Sequence, residues 1–141
     1  MGKKINESFL SAYMELDRYC SEKFGVSTGG VTEYINRLNN ARFAPGREEA
    51  LPHLVRYRNL RNKLAHEAGS IRRLNEITKQ DVKWVKSFTK DLSKKKDPIS
   101  VYLKKARRYA RRRRVYKIVT VVCGVIMLIA IVAIILHSCA K

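Results

Sequence analysis

The sequence predicts an all-α protein, an antiparallel four- or five-helix bundle followed by a single C-terminal transmembrane helix. Three observations point there. Aliphatic and aromatic residues recur at i, i+3, i+4 and i+7 between Ile5 and Leu92, the repeat of helices with one buried face. Apolar–polar alternation, the mark of a half-buried strand, is absent. The run Ile118–Leu136 is 19 residues long and carries no charge.

The first helix is expected to turn Ile5, Phe9, Ala12, Tyr13, Leu16, Tyr19, Cys20 and Phe24 to the core. Gly25 and the turn-rich Ser27-Thr28-Gly29-Gly30 end it. Val31, Tyr34, Ile35 and Leu38 give the second helix one stripe, which stops near Pro45-Gly46. A third helix is expected from about Glu48 or Leu51 to Ala68, with Pro52 in its first turn, where a missing N–H is harmless. Gly69 is its natural stop. Thr78 and Asp81 are spaced as a capping box opening a fourth helix. That helix carries Val82, Val85, Phe88 and Leu92, with Trp84 beside them. Asp97-Pro98 reads as the cap and first position of a fifth, whose narrow stripe is Ile99, Tyr102, Ala106 and Tyr109.

Charge divides the chain. Its 30 Lys+Arg and 12 Asp+Glu give a net +18. Residues 1–103 hold +8 of it. Nine cations and no acidic residue then follow within 14 positions: Lys104, Lys105, Arg107, Arg108, Arg111, Arg112, Arg113, Arg114 and Lys117. At about 1.5 Å per residue, the 19-residue run beyond them spans about 28 Å, close to the roughly 30 Å of bilayer hydrocarbon. A core helix of a soluble protein would alternate with polar residues, and this one does not. The expected organisation is a bundle over 1–97, a basic juxtamembrane segment over 98–117, a span over 118–136 and a tail over 137–141. With five residues after it, the span is expected to be a tail anchor. The positive-inside rule places the bundle in the cytoplasm. The basic run is expected to hold anionic lipid headgroups, at about 1 kcal/mol per residue. A dedicated RNA-binding arm is its alternative use. Cys20, Cys123 and Cys139 are far apart and give no disulfide framework. The 141 residues leave no room for a TIM barrel or a two-domain enzyme.

The third helix holds the least ordinary residues. Projected at about 100° per residue, Leu54, Tyr57, Leu64, Ala65 and Ala68 share an apolar arc, and Arg61 falls in its middle. Asn59, Asn62 and His66 form a polar stripe beside it. A guanidinium among apolar side chains is costly unless it is paired or opens on a cleft. Histidine moves protons near neutral pH, and arginine holds phosphate. The His and Cys residues lack metal-site spacing, and there is no Gly-rich phosphate loop and no Ser/His/Asp arrangement.

Arg61-Asn62-Lys63-Leu64-Ala65-His66 matches the R-(N/D/H)-x-x-x-H form of the motif that marks the HEPN superfamily, and residues 5–96 resemble that family. The motif sits late in a long helix, before a short loop and another amphipathic helix. Tyr57-Arg58-Asn59 and Glu67 also look like family members. The resemblance implies a helical bundle that dimerises and brings two motifs into one cleft. Many such domains are metal-independent endoribonucleases of toxin–antitoxin and other defence systems. By that resemblance His66 is the general acid/base, Arg61 binds the scissile phosphate and Asn62 orients the site. Arg58, Asn59 and Lys63 are candidate RNA contacts. The 2′-hydroxyl of RNA is the nucleophile, and no cofactor or metal is required. An antitoxin or other protein partner is implied too. Where one subfamily carries a tyrosine two positions after the histidine, this chain has Ala68, so control by modification there is not expected. The alternative function is a non-catalytic, tail-anchored adaptor or sensor that dimerises and recruits a partner to the membrane.

Overall fold

A computed structural model describes residues 2–66 and 76–139, and all regular structure among them is helical. The helices are α1 (Gly2–Phe24), α2 (Gly30–Asn40), α3 (Arg47–His66), α4 (Lys79–Ser93) and α5 (Pro98–Cys139). α1 packs on α2, α3 and α4, and α2 packs on α3. The expected stripes supply the core. Phe9, Leu16, Val31, Tyr34, Leu38, Leu54 and Val85 are completely buried. Each such side chain contributes about 1.5–3 kcal/mol relative to exposure. Ile5, Tyr19, Phe24, Val82 and Trp84 pack at its edge.

Aromatic rings tie the helices together. Trp84 stacks on Phe88 with centroids 5.0 Å apart, and Phe88 meets Tyr34 edge-on at 5.5 Å. Phe9 meets Tyr57 edge-on at 5.6 Å. These are the favoured offsets for aromatic pairs. His53, which no motif claims, stacks on Trp84 at 4.7 Å.

Three local expectations are corrected. α3 begins at Arg47, so Pro52 lies in its second turn rather than its first. Its missing N–H leaves the Glu48 carbonyl without the usual partner, an expense kept small by closeness to the helix start. The buried arc of α3 is also rotated: Leu60 is in the core, while Ala65 is exposed. Ala68 and Gly69 lie outside the described residues. The stripe on α5 serves only its first turn, for Ile99 is buried and Tyr102 half-buried, whereas Ala106 and Tyr109 are exposed.

The bundle forms one compact unit through Leu103. Residues from Lys104 form a second unit, helical to Cys139, whose described side chains are exposed. Among the described residues, one helix is long and apolar enough to cross a membrane.

Candidate functional site

The α1–α2 junction sets the geometry of the site. Asp17 Oδ1 accepts the Val31 N–H at 2.8 Å, which fixes the start of α2 against the side of α1. Gly30 makes that approach possible. A Cβ there would lie 2.3 Å from the Asp17 carbonyl oxygen and 2.4 Å from the Ser21 amide nitrogen, so no other residue fits without moving a helix. Gly29, at φ +69°, turns the chain into α2 from the left-handed region, where glycine is at ease.

α3 runs alongside this junction, and a cleft of about 540 Å³ opens between them. One wall is α3, through Arg58, Arg61 and Asn62. α1 lines the cleft through Tyr13, Met14, Asp17, Arg18 and Ser21. The far wall is Ser27, Thr28, Gly29 and Thr32. Arg58 and Arg61 are half-buried. Arg61 donates to Asn62 Oδ1 at 3.3 Å, and neither arginine is paired with a carboxylate among the described residues. Arg18 is engaged elsewhere, with Glu22 at 2.7 Å. Tyr13 registers the local field. Burial and then Asp17 drive its phenol well above the ordinary range, while Arg61 and Arg58 pull the other way. The tyrosine therefore stays a neutral hydroxyl beside two cations.

The expected site residues are thus divided. Arg61 and Asn62 share the cleft with Arg58. Arg61, which the projection put amid the apolar arc, opens on this cleft, and that removes the burial penalty. Asn59 and Lys63 face a separate groove of about 630 Å³ with Leu51, Val55, Arg56 and Leu60, and Lys63 pairs there with Glu76 at 3.4 Å. His66 is the last residue of α3, one turn beyond Asn62; its side chain, like Glu67, lies outside the described residues. The hydroxyl-bearing far wall escaped the sequence reading, which took Ser27-Thr28 only as a helix stop. The available signal was its two hydroxyls beside a Gly-Gly pair. Among the described residues no group of His, Cys, Asp and Glu side chains is arranged to hold a metal ion.

A second polar centre is structural. Asp81 Oδ1 accepts from Arg56 Nη1 at 2.7 Å and from the Tyr57 hydroxyl at 3.0 Å. Its Oδ2 accepts from the Thr78 amide and hydroxyl, both at 2.8 Å. Burial pushes this carboxyl up, but the Thr78 amide, Arg56 and the two hydroxyls outweigh it and hold it below the usual range.

No curated protein and no solved structure matches the chain. One family model does, over residues 7–120, a stretch that takes in most of α1, the next three helices, the arginine cleft and the basic run and stops just inside the apolar segment. The chain belongs to that family, DUF6548, described as a family of unknown function.

Proposed function

We propose that the chain is a membrane-anchored, metal-independent endoribonuclease of the HEPN type, a toxin or defence protein that cuts RNA at the cytoplasmic face. The observation that carries this reading is the pair Arg58 and Arg61, which line one cleft without a carboxylate partner among the described residues. Two guanidiniums at one cleft, outnumbering the single carboxylate that lines it, Asp17, suit a phosphodiester. The motif adds a histidine one helical turn on. In the step proposed, His66 takes the proton of an RNA 2′-hydroxyl, and that oxygen attacks the adjacent phosphorus. The bond to the 5′-oxygen breaks, the leaving oxygen takes a proton from water, and the hydroxide left takes the proton held by His66. The products are a 2′,3′-cyclic phosphate and a 5′-hydroxyl. Arg61 holds the non-bridging oxygens, where charge grows in the transition state. Asn62, hydrogen-bonded to Arg61, keeps that guanidinium in place. A homodimer would pair two such motifs, and an antitoxin would restrain them. The apolar run of α5 crosses the bilayer once, and the nine cations before it hold the bundle on the cytoplasmic side.

The test is RNA cleavage by the full chain in detergent, with EDTA present, beside His66→Ala and Arg61→Ala. The parent is expected to leave cyclic-phosphate ends. His66→Ala should be slower by about 10²–10⁴-fold, with circular dichroism unchanged. Uncut RNA in the presence of a folded dimer would end the enzymatic reading. It would favour the adaptor, for which Phe43 speaks. This aromatic ring is 88% exposed in the α2–α3 connection, open to a protein partner.

A further inference from the structure

We propose that the far wall of the arginine cleft reads the ribose of RNA. On this view Thr28 and Thr32, on the wall they share with Ser27, hydrogen-bond the 2′-hydroxyl of a nucleotide whose phosphate lies on Arg58 and Arg61. The proposal rests on the reading of the cleft as an RNA site and deepens it, because it names what distinguishes RNA from DNA there.

The two walls are chemically different. α3 presents guanidiniums, which hold phosphate and are indifferent to the sugar. The α1–α2 loop and the first turn of α2 present hydroxyls instead. Thr28, Thr32 and Ser27 are exposed, and none of their side chains makes a hydrogen bond to another described residue. Each is therefore free to donate one bond and accept others. A 2′-hydroxyl has the same dual capacity, and it is the group by which a protein tells RNA from DNA. The wall is also firmly placed. Gly30 locks the start of α2 against α1, and Asp17 Oδ1 holds the Val31 amide there. Phosphate on one wall and sugar on the other is the order in which these groups follow along one strand. The basic run from Lys104 to Lys117 adds affinity for any polyanion. It carries no hydroxyl except Tyr109 and Tyr116, so a preference for ribose does not arise there by charge.

The experiment uses the full chain carrying His66→Ala, to prevent cutting, in phosphatidylcholine nanodiscs. Its probes are two fluorescent single-stranded 12-mers of the same uracil-containing sequence, one ribose and one deoxyribose. RNA is expected to bind about threefold to tenfold more tightly than DNA, the worth of one or two hydrogen bonds. Adding Thr28→Val and Thr32→Val should bring RNA down to the DNA level and leave DNA binding unchanged. Thr28→Ser with Thr32→Ser should restore the preference. Arg58→Gln should weaken both strands about tenfold. Equal binding of the two strands to the His66→Ala chain, or an RNA preference that survives the valine pair, overturns the proposal. The two readings also fail separately. Preference lost in the valine pair but no cleavage by the parent removes the catalyst and keeps the ribose wall. Cleavage with an unaltered preference does the reverse.

Discussion

Lys23 reaches from the last turn of α1 to Asp97, Nζ to Oδ2 at 2.7 Å, and the Tyr34 hydroxyl donates to the same oxygen at 2.8 Å. The Asp97 side chain is 0% exposed, and its Oδ1 has no hydrogen-bond partner among the described residues. A buried carboxylate with one satisfied oxygen depends on its cation. Burial, then the Asp97 charge and hydrogen bond, push the Tyr34 phenol far up, so it remains a donor. Lys23→Met keeps most of the stem but leaves that charge unpaired. It should lower stability by about 3–5 kcal/mol, read as the denaturation midpoint of the full chain in detergent. Adding Asp97→Asn should recover part of the loss. A Lys23→Met chain as stable as its parent would show that the pair contributes nothing. Half of this arrangement is legible in the sequence. Asp97-Pro98 announces a helix cap, and Asp97 Oδ2 does accept the Ser100 N–H at 3.2 Å. Nothing local announces that the same oxygen serves residues 74 and 63 positions away. Burial likewise raises the Cys20 thiol to about 12, with Asp17 adding to the shift. Packing that no cysteine spacing reveals thus keeps this thiol buried and protonated.

Helices whose ends carry strong local chemistry were readable, and those bounded by tertiary contacts were less so. α4 starts where Thr78 and Asp81 place it, with both arms of the capping box formed. α3 starts ahead of Pro52 because the turn through Pro45-Gly46 feeds it, with the Ala50 N–H bonded to the Gly46 carbonyl at 3.0 Å. The arginine cleft was half-readable for the same reason. Periodicity placed Arg61 and Asn62 on α3, but the wall opposite is made by Gly30 seating α2 on α1, a contact between two helices. The capping box also yields a pH prediction. The Asp81 carboxyl is held below its ordinary value in the folded chain. Its contribution is therefore complete above the unfolded value near 3.9 and is lost as pH falls through the folded one. Asp81→Asn should cost about 1–3 kcal/mol at pH 7, since Arg56 and the Thr78 amide lose a charged acceptor. The gap between parent and variant should shrink as pH falls below about 4. Urea midpoints at several pH values measure it, and a gap that stays constant with pH would contradict this account.

At the scale of the molecule, the distribution of charge separates two tasks. In the bundle, Arg56 and Lys23 are paired to buried carboxylates, and Arg58 and Arg61 are left to the cleft. In the second unit no acidic residue offsets the nine cations. At about 100° per residue those cations point in all directions round the helix rather than to one side. Such a collar fits a headgroup layer that surrounds it, whereas a protein or a nucleic acid strand would engage one face. Four of the cations, Arg111 to Arg114, lie within the seven residues before Ile118, about 10 Å along the axis, so with Lys117 they would stand nearest the headgroups if the apolar run spans a bilayer. Each contributes about 1 kcal/mol near an anionic surface, and at about 1 M salt screening over roughly 3 Å removes most of that. The full chain, purified from equal amounts of phosphatidylglycerol and phosphatidylcholine in mild detergent, should retain the anionic lipid in severalfold excess by mass spectrometry. Changing Arg111, Arg112, Arg113 and Arg114 together to Gln should abolish most of the excess, and so should washing the unaltered chain in 1 M salt. The bundle's melting curve should not change, because none of the four belongs to its compact unit. Equal retention of the two lipids by the unaltered chain would mean that the collar serves some partner other than the bilayer surface.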